Sequence, residues 1–279
     1  MANLGSAGRS PSLLARLCAS PGERDSAMDT ILVESEGPVA WVWLNQPRRL
    51  NAMDQTTLAE LAQAFAGLEK DGSVRAVVLA ARGPAFSAGF DVAWMLGLDQ
   101  ETIAQELGGV ESVYDGLEAC AKPVIAAVQG AAMGGGLLLA MVADLRLASE
   151  QASFGAPEVK IGIFPNLRLV PRLERLVGLG AAKQIVLTGE RIHASDALRI
   201  GLVEQVWPAE ELHSAAQALA DHLAGLSPHA VRSAKAAFSA ASRADFLEWE
   251  RAEFASCWER PERQAAMQAF LESRRGSRR

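Results

Sequence analysis

Residues 130–158 read Gly130-Ala-Ala-Met-Gly-Gly-Gly-Leu-Leu-Leu-Ala-Met-Val-Ala-Asp-Leu-Arg-Leu-Ala-Ser-Glu-Gln-Ala-Ser-Phe-Gly-Ala-Pro-Glu158. The apolar run from Pro123 to Val128 before them has the composition of a buried strand, and Gly134, Gly135 and Gly136 then open an apolar helix that runs to about Val142. The glycines therefore sit at a helix start. Amide N–H groups there lack intrahelical acceptors, and residues without Cβ let a ligand oxygen come close to them. Two other readings apply to a glycine run. Close helix packing is one. The other is a dinucleotide-binding turn, for which Glu158 stands at a tolerable distance as the ribose acid; that fingerprint fails at its third glycine, where Leu139 stands.

A second segment, Gly83-Pro-Ala-Phe-Ser-Ala-Gly-Phe-Asp91, follows the strand expected over residues 75–81. Two more stand out: Asn45-Gln-Pro-Arg-Arg-Leu-Asn-Ala-Met53, and Leu187-Thr-Gly-Glu190 followed by Gly201-Leu-Val203. Before them, Ile31–Ser35 and Val39–Leu44 read as a hairpin turned at Gly37-Pro38, with Trp41 and Trp43 on one face. Asp54 reads as the N-cap of a helix to about Leu68, with Leu58, Leu61, Phe65 and Leu68 at helical spacing. Strands alternating with helices imply an α/β fold. Helices are expected over Leu173–Leu187, Ala194–Ile200 and Ala209–Leu226, with a strand over Leu202–Trp207.

With their order and spacing, the four segments resemble the crotonase superfamily, the enoyl-CoA hydratases and isomerases, from about Met28 onward. The resemblance implies a ββα spiral core over residues 28–226 and a C-terminal helical trimerisation region over 227–279. It also implies an acyl-CoA thioester as substrate and a homotrimer or hexamer. Coenzyme A enters only as part of the substrate, with no separate cofactor and no metal. The family's two oxyanion-hole amides fall on the backbone N–H groups of Phe90 and Gly135, and its catalytic glutamate falls on Glu158. Trp94, Met95, Leu138 and Phe164 are expected in the acyl pocket, the apolar stripe following Phe90 reading equally as plain core. Arg48, Arg49 and Arg274 are expected to meet coenzyme A, surface arginines being the bland alternative. Trp249, Phe254, Trp258 and Phe270 are interface candidates.

The reaction turns on one departure. Hydratases of this family carry a second glutamate two residues after the glycine run, and Leu138 stands there. Hydration needs a water activated on one side and a proton delivered on the other, for which two carboxylates are the usual equipment. A 3-enoyl to 2-enoyl shift asks for one base, and is the reaction expected here. Hydration, decarboxylation, thioester hydrolysis and a non-catalytic acyl-CoA-binding role are the alternatives. The dienoyl-CoA isomerases of the family have an acid where this chain has Asn166, which disfavours that subclass. Tyr114 is a conceivable hydrogen-bond donor whose hydroxyl the sequence does not place. Arg168 is expected at the surface, and Asp91 in a turn or helix cap.

Composition sets the remaining bounds. With 279 residues, 49% hydrophobic and 22% charged, the chain is long enough for one substantial core and ordinary for a globular protein. No apolar run reaches membrane-spanning length, and a net charge of −6 gives little reason to expect nucleic acid. Cys18, Cys120 and Cys257 lack metal spacing and are read as packing or incidental residues in a reducing compartment. Residues 1–27 are expected to be a disordered extension or an early start, and the protein cytoplasmic; a mitochondrial transit peptide is the alternative. The four histidines, His193, His213, His222 and His229, are read as surface or capping residues.

Overall fold

The structure, a computed structural model, describes residues 28–240, 244–258, 260 and 267. Its first hairpin pairs β1 (Ile31–Glu36) with β2 (Val39–Leu44) antiparallel, turning at Gly37 with φ 58°. Helix α1 (Gln55–Lys70) follows, capped by the Asp54 carboxylate, which accepts from the Thr57 amide at 3.0 Å. It crosses over to β3 (Ala76–Ala81), parallel to β2. Two helices come next, α2 (Val92–Leu96) and α3 (Gln100–Glu118), before β4 (Val124–Val128).

The glycine region contributes β5 (Ala131–Met133) and α4 (Gly135–Met141), and then β6 (Leu145–Ser149) and β7 (Ser153–Gly155). The second half comprises α5 (Leu169–Thr188), β8 (Ile192–His193), α6 (Ala194–Arg199), β9 (Gln205–Trp207) and α7 (Leu212–Ala224). Two C-terminal helices, α8 (Pro228–Ala240) and α9 (Phe246–Trp258), complete the described residues.

The strands form a six-stranded sheet in the order β1-β2-β3-β4-β6-β9 and a small one in the order β5-β7-β8. Beyond the hairpin the large sheet is parallel throughout. Parallel strands need both faces covered, and the two-residue period divides their side chains accordingly. Val42, Leu44, Val77 and Leu79 point into the main core with α1, α3 and α4. Val39, Trp41, Trp43, Val78 and Ile125 point the other way, under Leu212, Ala216 and Ala220 of α7.

Several expectations needed correction. The long helix α5 is kinked at Gly178, whose φ of 74° and ψ of 162° no helix accommodates. Only the last three residues of the expected Leu202–Trp207 strand pair in a sheet. His213 is no simple surface residue: its ring meets the edges of Trp41 and Trp43 at 5.7 and 5.2 Å, and the two indoles stack at 4.8 Å. His229 links Arg232 and Ser256, each at 2.9 Å.

Among the C-terminal candidates, Phe254 and Trp258 stack at 5.7 Å and are more than half exposed. Phe270, Arg274, Cys18 and residues 1–27 lie outside the described residues. No helix among the described residues is long and apolar enough to cross a membrane.

Candidate functional site

Asn51 organises the approach to the site. Its buried side chain donates to the carbonyls of Arg82 (3.0 Å) and Ala85 (2.8 Å) and accepts from the Gln46 amide (2.7 Å). The segment after β3 is thereby tied to the loop before α1. Ser87 continues the link, its hydroxyl donating to the Asn51 carbonyl at 2.7 Å and accepting from the Gly89 amide at 3.1 Å. Met53 then pairs with Phe90 like a neighbouring strand residue: the Met53 amide donates to Gly89 and the Asp91 amide donates to Met53. The Phe90 amide thus lies between two that already have acceptors, and faces away from Met53 by the alternation of a strand.

On its other side the same segment meets β5. Ser87 and Ala132 form a parallel bridge, and the Met133 amide donates to the Ser87 carbonyl at 2.9 Å. This brings Phe90 to the glycine run. A Cβ placed on Gly89, where φ is 96°, would stand 3.4 Å from the Gly135 nitrogen, so the amides next to it are close neighbours. A Cβ on Gly135 would press on the Phe90 ring at 2.9 Å, and one on Gly136 on the Ser87 carbonyl oxygen at 2.5 Å. Close packing, one of the two bland readings of the run, is therefore part of the reason for Gly135 and Gly136. Gly135 is also the first residue of α4, so its amide has no intrahelical acceptor by position.

Gly134 has a different reason. Its φ of 51° and ψ of −117° are open in practice only to glycine. A Cβ there would also lie 2.7 Å from Oε1 of Glu158. Glu158 comes from the short 3-10 turn Pro157–Ile161 after β7, and the Gly134 amide bonds the Gly155 carbonyl at 2.8 Å, joining the two segments. The Leu187–Glu190 motif packs behind them: Glu190 pairs with Lys160 at 2.7 Å, and its carbonyl lies beside Gly155.

The Glu158 carboxyl is half-buried, and its Oε2 is buried without a hydrogen-bond partner among the described residues. Burial raises its pKa above the ordinary glutamate value, opposed in part by its own backbone amide. A carboxylate oxygen enclosed without a partner is costly. Such a group is suited to taking up a proton from a ligand lying against it.

The other expected residues fall as follows. Leu138 is 1% exposed and belongs to the main core, whereas Phe164 is 76% exposed. These two candidates for one pocket stand in opposite surroundings. Trp94 and Met95 are half-buried on α2, and the Trp94 ring meets Phe90 edge-on at 6.4 Å. Asp91 caps α2, accepting from the Trp94 amide at 2.9 Å, and also holds Arg49, which pairs with Asp54 at 3.1 Å. Arg49 is therefore occupied by two carboxylates, while Arg48 is exposed beside it.

Arg168 pairs with Glu111 and Asp115 of α3, and the buried Arg172 with Asp115 (2.9 Å) and Glu118 (2.6 Å). Cavities of about 420 and 530 Å³ near Arg232 have linings that include none of Glu158, Phe90 and Gly135. Sequence reasoning quoted Asn51 and Ser87 within motifs without a role for either; their long-range bonds leave no local signal.

Comparison with known proteins gives a consistent picture. Residues 34–277 match the profile of the family described as Enoyl-CoA hydratase/isomerase. A short-chain-enoyl-CoA hydratase of Clostridium acetobutylicum is 39% identical, covering 89% of this chain and 97% of its own length. A crotonyl-CoA hydratase of Syntrophomonas wolfei is 38% identical, over 90% and 98%. Among solved structures, an enoyl-CoA hydratase from Bacillus anthracis superimposes with a TM-score of 0.84 at 33% identity, covering 88% of this chain and 96% of that one.

Proposed function

Because the chain belongs to the enoyl-CoA hydratase/isomerase family, we propose that it acts on an enoyl-CoA thioester through Glu158 and shifts a 3-enoyl double bond to the 2-position. The observation that carries this reading is the Glu158 carboxyl, whose Oε1 lies against Gly134, the residue before the Gly135 amide, and whose buried Oε2 has no partner among the described residues. In this scheme the two amides hold the thioester oxygen while Glu158 removes a proton from C2. The C2–H electron pair moves into the conjugated dienolate, and the same carboxyl returns the proton at C4. Atoms balance without a second reactant. An α-proton this weakly acidic needs the developing oxyanion stabilised, and each donor of such a pair typically contributes ~3 to 4 kcal/mol.

Leu138, apolar and enclosed, can neither hold nor polarise a water. The names of the relatives nevertheless favour a second reading, hydration of a 2-enoyl-CoA, and they give the double-bond shift no support of their own. The acyl chain is assigned to the side of Trp94 and Met95, with Leu138 behind the glycine run and Phe164 at the rim. Arg48 is assigned to coenzyme A. A homotrimer or hexamer in the cytoplasm completes the reading.

The test supplies a 3-enoyl-CoA and, separately, a 2-enoyl-CoA in heavy-oxygen water, followed by mass spectrometry. Rapid conjugation of the first without label is expected. Label and the mass of water gained by the second, with the first unchanged, would overturn the isomerase reading in favour of hydration.

A further inference from the structure

The 279 residues contain one tyrosine, and it is one of the largest fully enclosed side chains of the fold. Tyr114 lies on α3, two elements away from the glycine run, with 1% of its surface exposed. Its hydroxyl donates to the backbone carbonyl of Gly135 at 3.0 Å. Its ring meets the Phe90 ring edge-on, centroids 6.2 Å apart at 84°. One side chain therefore touches both residues whose amides are assigned to the thioester oxygen. We infer that Tyr114 is a positioning residue, holding the Phe90 and Gly135 backbone segments in the mutual orientation that receives the oxygen. This inference rests on the oxyanion reading above.

The physical need is specific. Gly134 and Gly135 have the freest backbones of any residue type, and the turn between them takes a conformation that only glycine adopts readily. A pair of amide donors stabilises a developing charge only if it is held in place beforehand. Gly135 is held from two directions: the Phe90 ring fills the space where its Cβ would stand, and the Tyr114 hydroxyl fixes its carbonyl. The second contact also polarises the first turn of α4, since hydrogen bonds along a chain reinforce one another.

Burial pushes the Tyr114 pKa far above the ordinary phenol value, with the charge of Arg172 opposing it and that of Glu158 adding to it. The hydroxyl accordingly keeps its proton at every working pH. It serves as a fixed donor and transfers no proton itself. Asp115 and Glu118, on the same helix, pair with Arg172 at the start of α5, which anchors α3 near the tyrosine.

Tyr114→Phe keeps the ring and removes the hydroxyl. The expected result is a fall in kcat of about tenfold, as for loss of a buried hydrogen bond that acts in the transition state, with KM changed less than about twofold. A spectroscopic measurement separates positioning from general loosening. A conjugated 2-enoyl-CoA bound to the Glu158→Gln protein should show a red-shifted absorption as the amides polarise its carbonyl, and adding Tyr114→Phe should diminish that shift. An undiminished shift together with unchanged kcat would overturn the role of Tyr114 while leaving the oxyanion site standing. No shift in the Glu158→Gln protein at all would overturn the oxyanion site and this inference with it. Should the phenylalanine variant not fold, the native protein decides: tyrosine labelled with 13C at the hydroxyl-bearing carbon gives one resonance, which must move when a saturated acyl-CoA fills the site. A resonance indifferent to that ligand would refute the inference.

Discussion

Replacing Gly134 by alanine tests the site at its tightest point. Two costs arise from separate features. The backbone there, at φ 51° and ψ −117°, is one that a residue with a Cβ adopts at a strain of about 1–3 kcal/mol. For a chain of this size that lowers Tm by roughly 2 to 12 °C. The new methyl would also stand 2.7 Å from Glu158 Oε1. That oxygen is the end of a flexible side chain, so it retreats, by roughly 0.7 Å, to reach ordinary contact distance. A base displaced by such a distance typically loses on the order of 10- to 100-fold in rate. Coenzyme A affinity, which depends on neither feature, should hold. The assay is kcat with a 3-enoyl-CoA, alongside thermal unfolding of the same preparation. The two costs can be separated by shortening the base: Glu158→Asp should cost markedly less in the alanine background than in the native protein, because the clash is then relieved. A Gly134→Ala protein with kcat within about threefold of native would refute the reasoning, whatever its Tm.

Glu158→Gln should lower turnover by at least ~10²-fold, the range for loss of a general base, while leaving acyl-CoA binding near native in calorimetry. The same substitution has a stability consequence. Burial raises the pKa of Glu158 in the folded protein, so folding is favoured while the group is protonated, and that contribution is lost as pH rises through the folded-state pKa. The glutamine variant should therefore unfold at a higher temperature than native at neutral pH, and the gap should close in acid below the ordinary glutamate range; a gap that widens in acid would contradict the assigned shift. For turnover, the acidic limb of the pH–rate profile should lie above the range of an exposed glutamate, and a limb at or below that range would argue against Glu158 as the base. Asn51→Ala removes three hydrogen bonds, one buried and two partly buried, and places alanine at φ 54°. A loss of about 2–4 kcal/mol is expected by denaturant unfolding, with kcat reduced because the Phe90 segment loses its anchor; a loss under about 1 kcal/mol would show the anchor to be elsewhere.

The fold was readable where periodicity is strong. The apolar run Val39–Leu44 after the Gly37-Pro38 turn marked its strand, the two-residue period put the buried Trp41 and Trp43 on one face, and Asp54 with the leucines after it marked α1 and its cap. The small sheet was not readable, because β5, β7 and β8 are strands of two or three residues, too short to show a period. The kink at Gly178 was hidden because its flanks are helical in pattern. At the site, Glu158, Phe90 and Gly135 were named through the resemblance of whole segments, and nothing in their own neighbourhoods shows that they meet. Tyr114 illustrates the limit best. Its phenol was recognised as a possible donor, yet its partner is the carbonyl of a glycine 21 positions on, in another element, and no local pattern records such a pairing.

Departures from ordinary backbone geometry follow the same division. Among the described residues, those other than glycine with positive φ are Leu50, Asn51, Leu167 and Arg168. The first two lie just before Ala52 and Met53, the latter pairing with Phe90, and the second two come after the Glu158 turn. Each costs of order 1 kcal/mol or more and persists only where surrounding bonds fix it. The bonds are present: Asn51 holds three partners, Arg172 donates to the Leu167 carbonyl at 2.6 Å, and Arg168 is held by α3. The loop that pairs with the Phe90 segment and the one that follows the Glu158 turn are thus strained and firmly tied, whereas Oε2 of Glu158 has no partner among the described residues. An enclosed leucine stands where a second acid would have to be, and Glu158 keeps one oxygen unpartnered among the described residues; both fit the proposed single proton-transfer group.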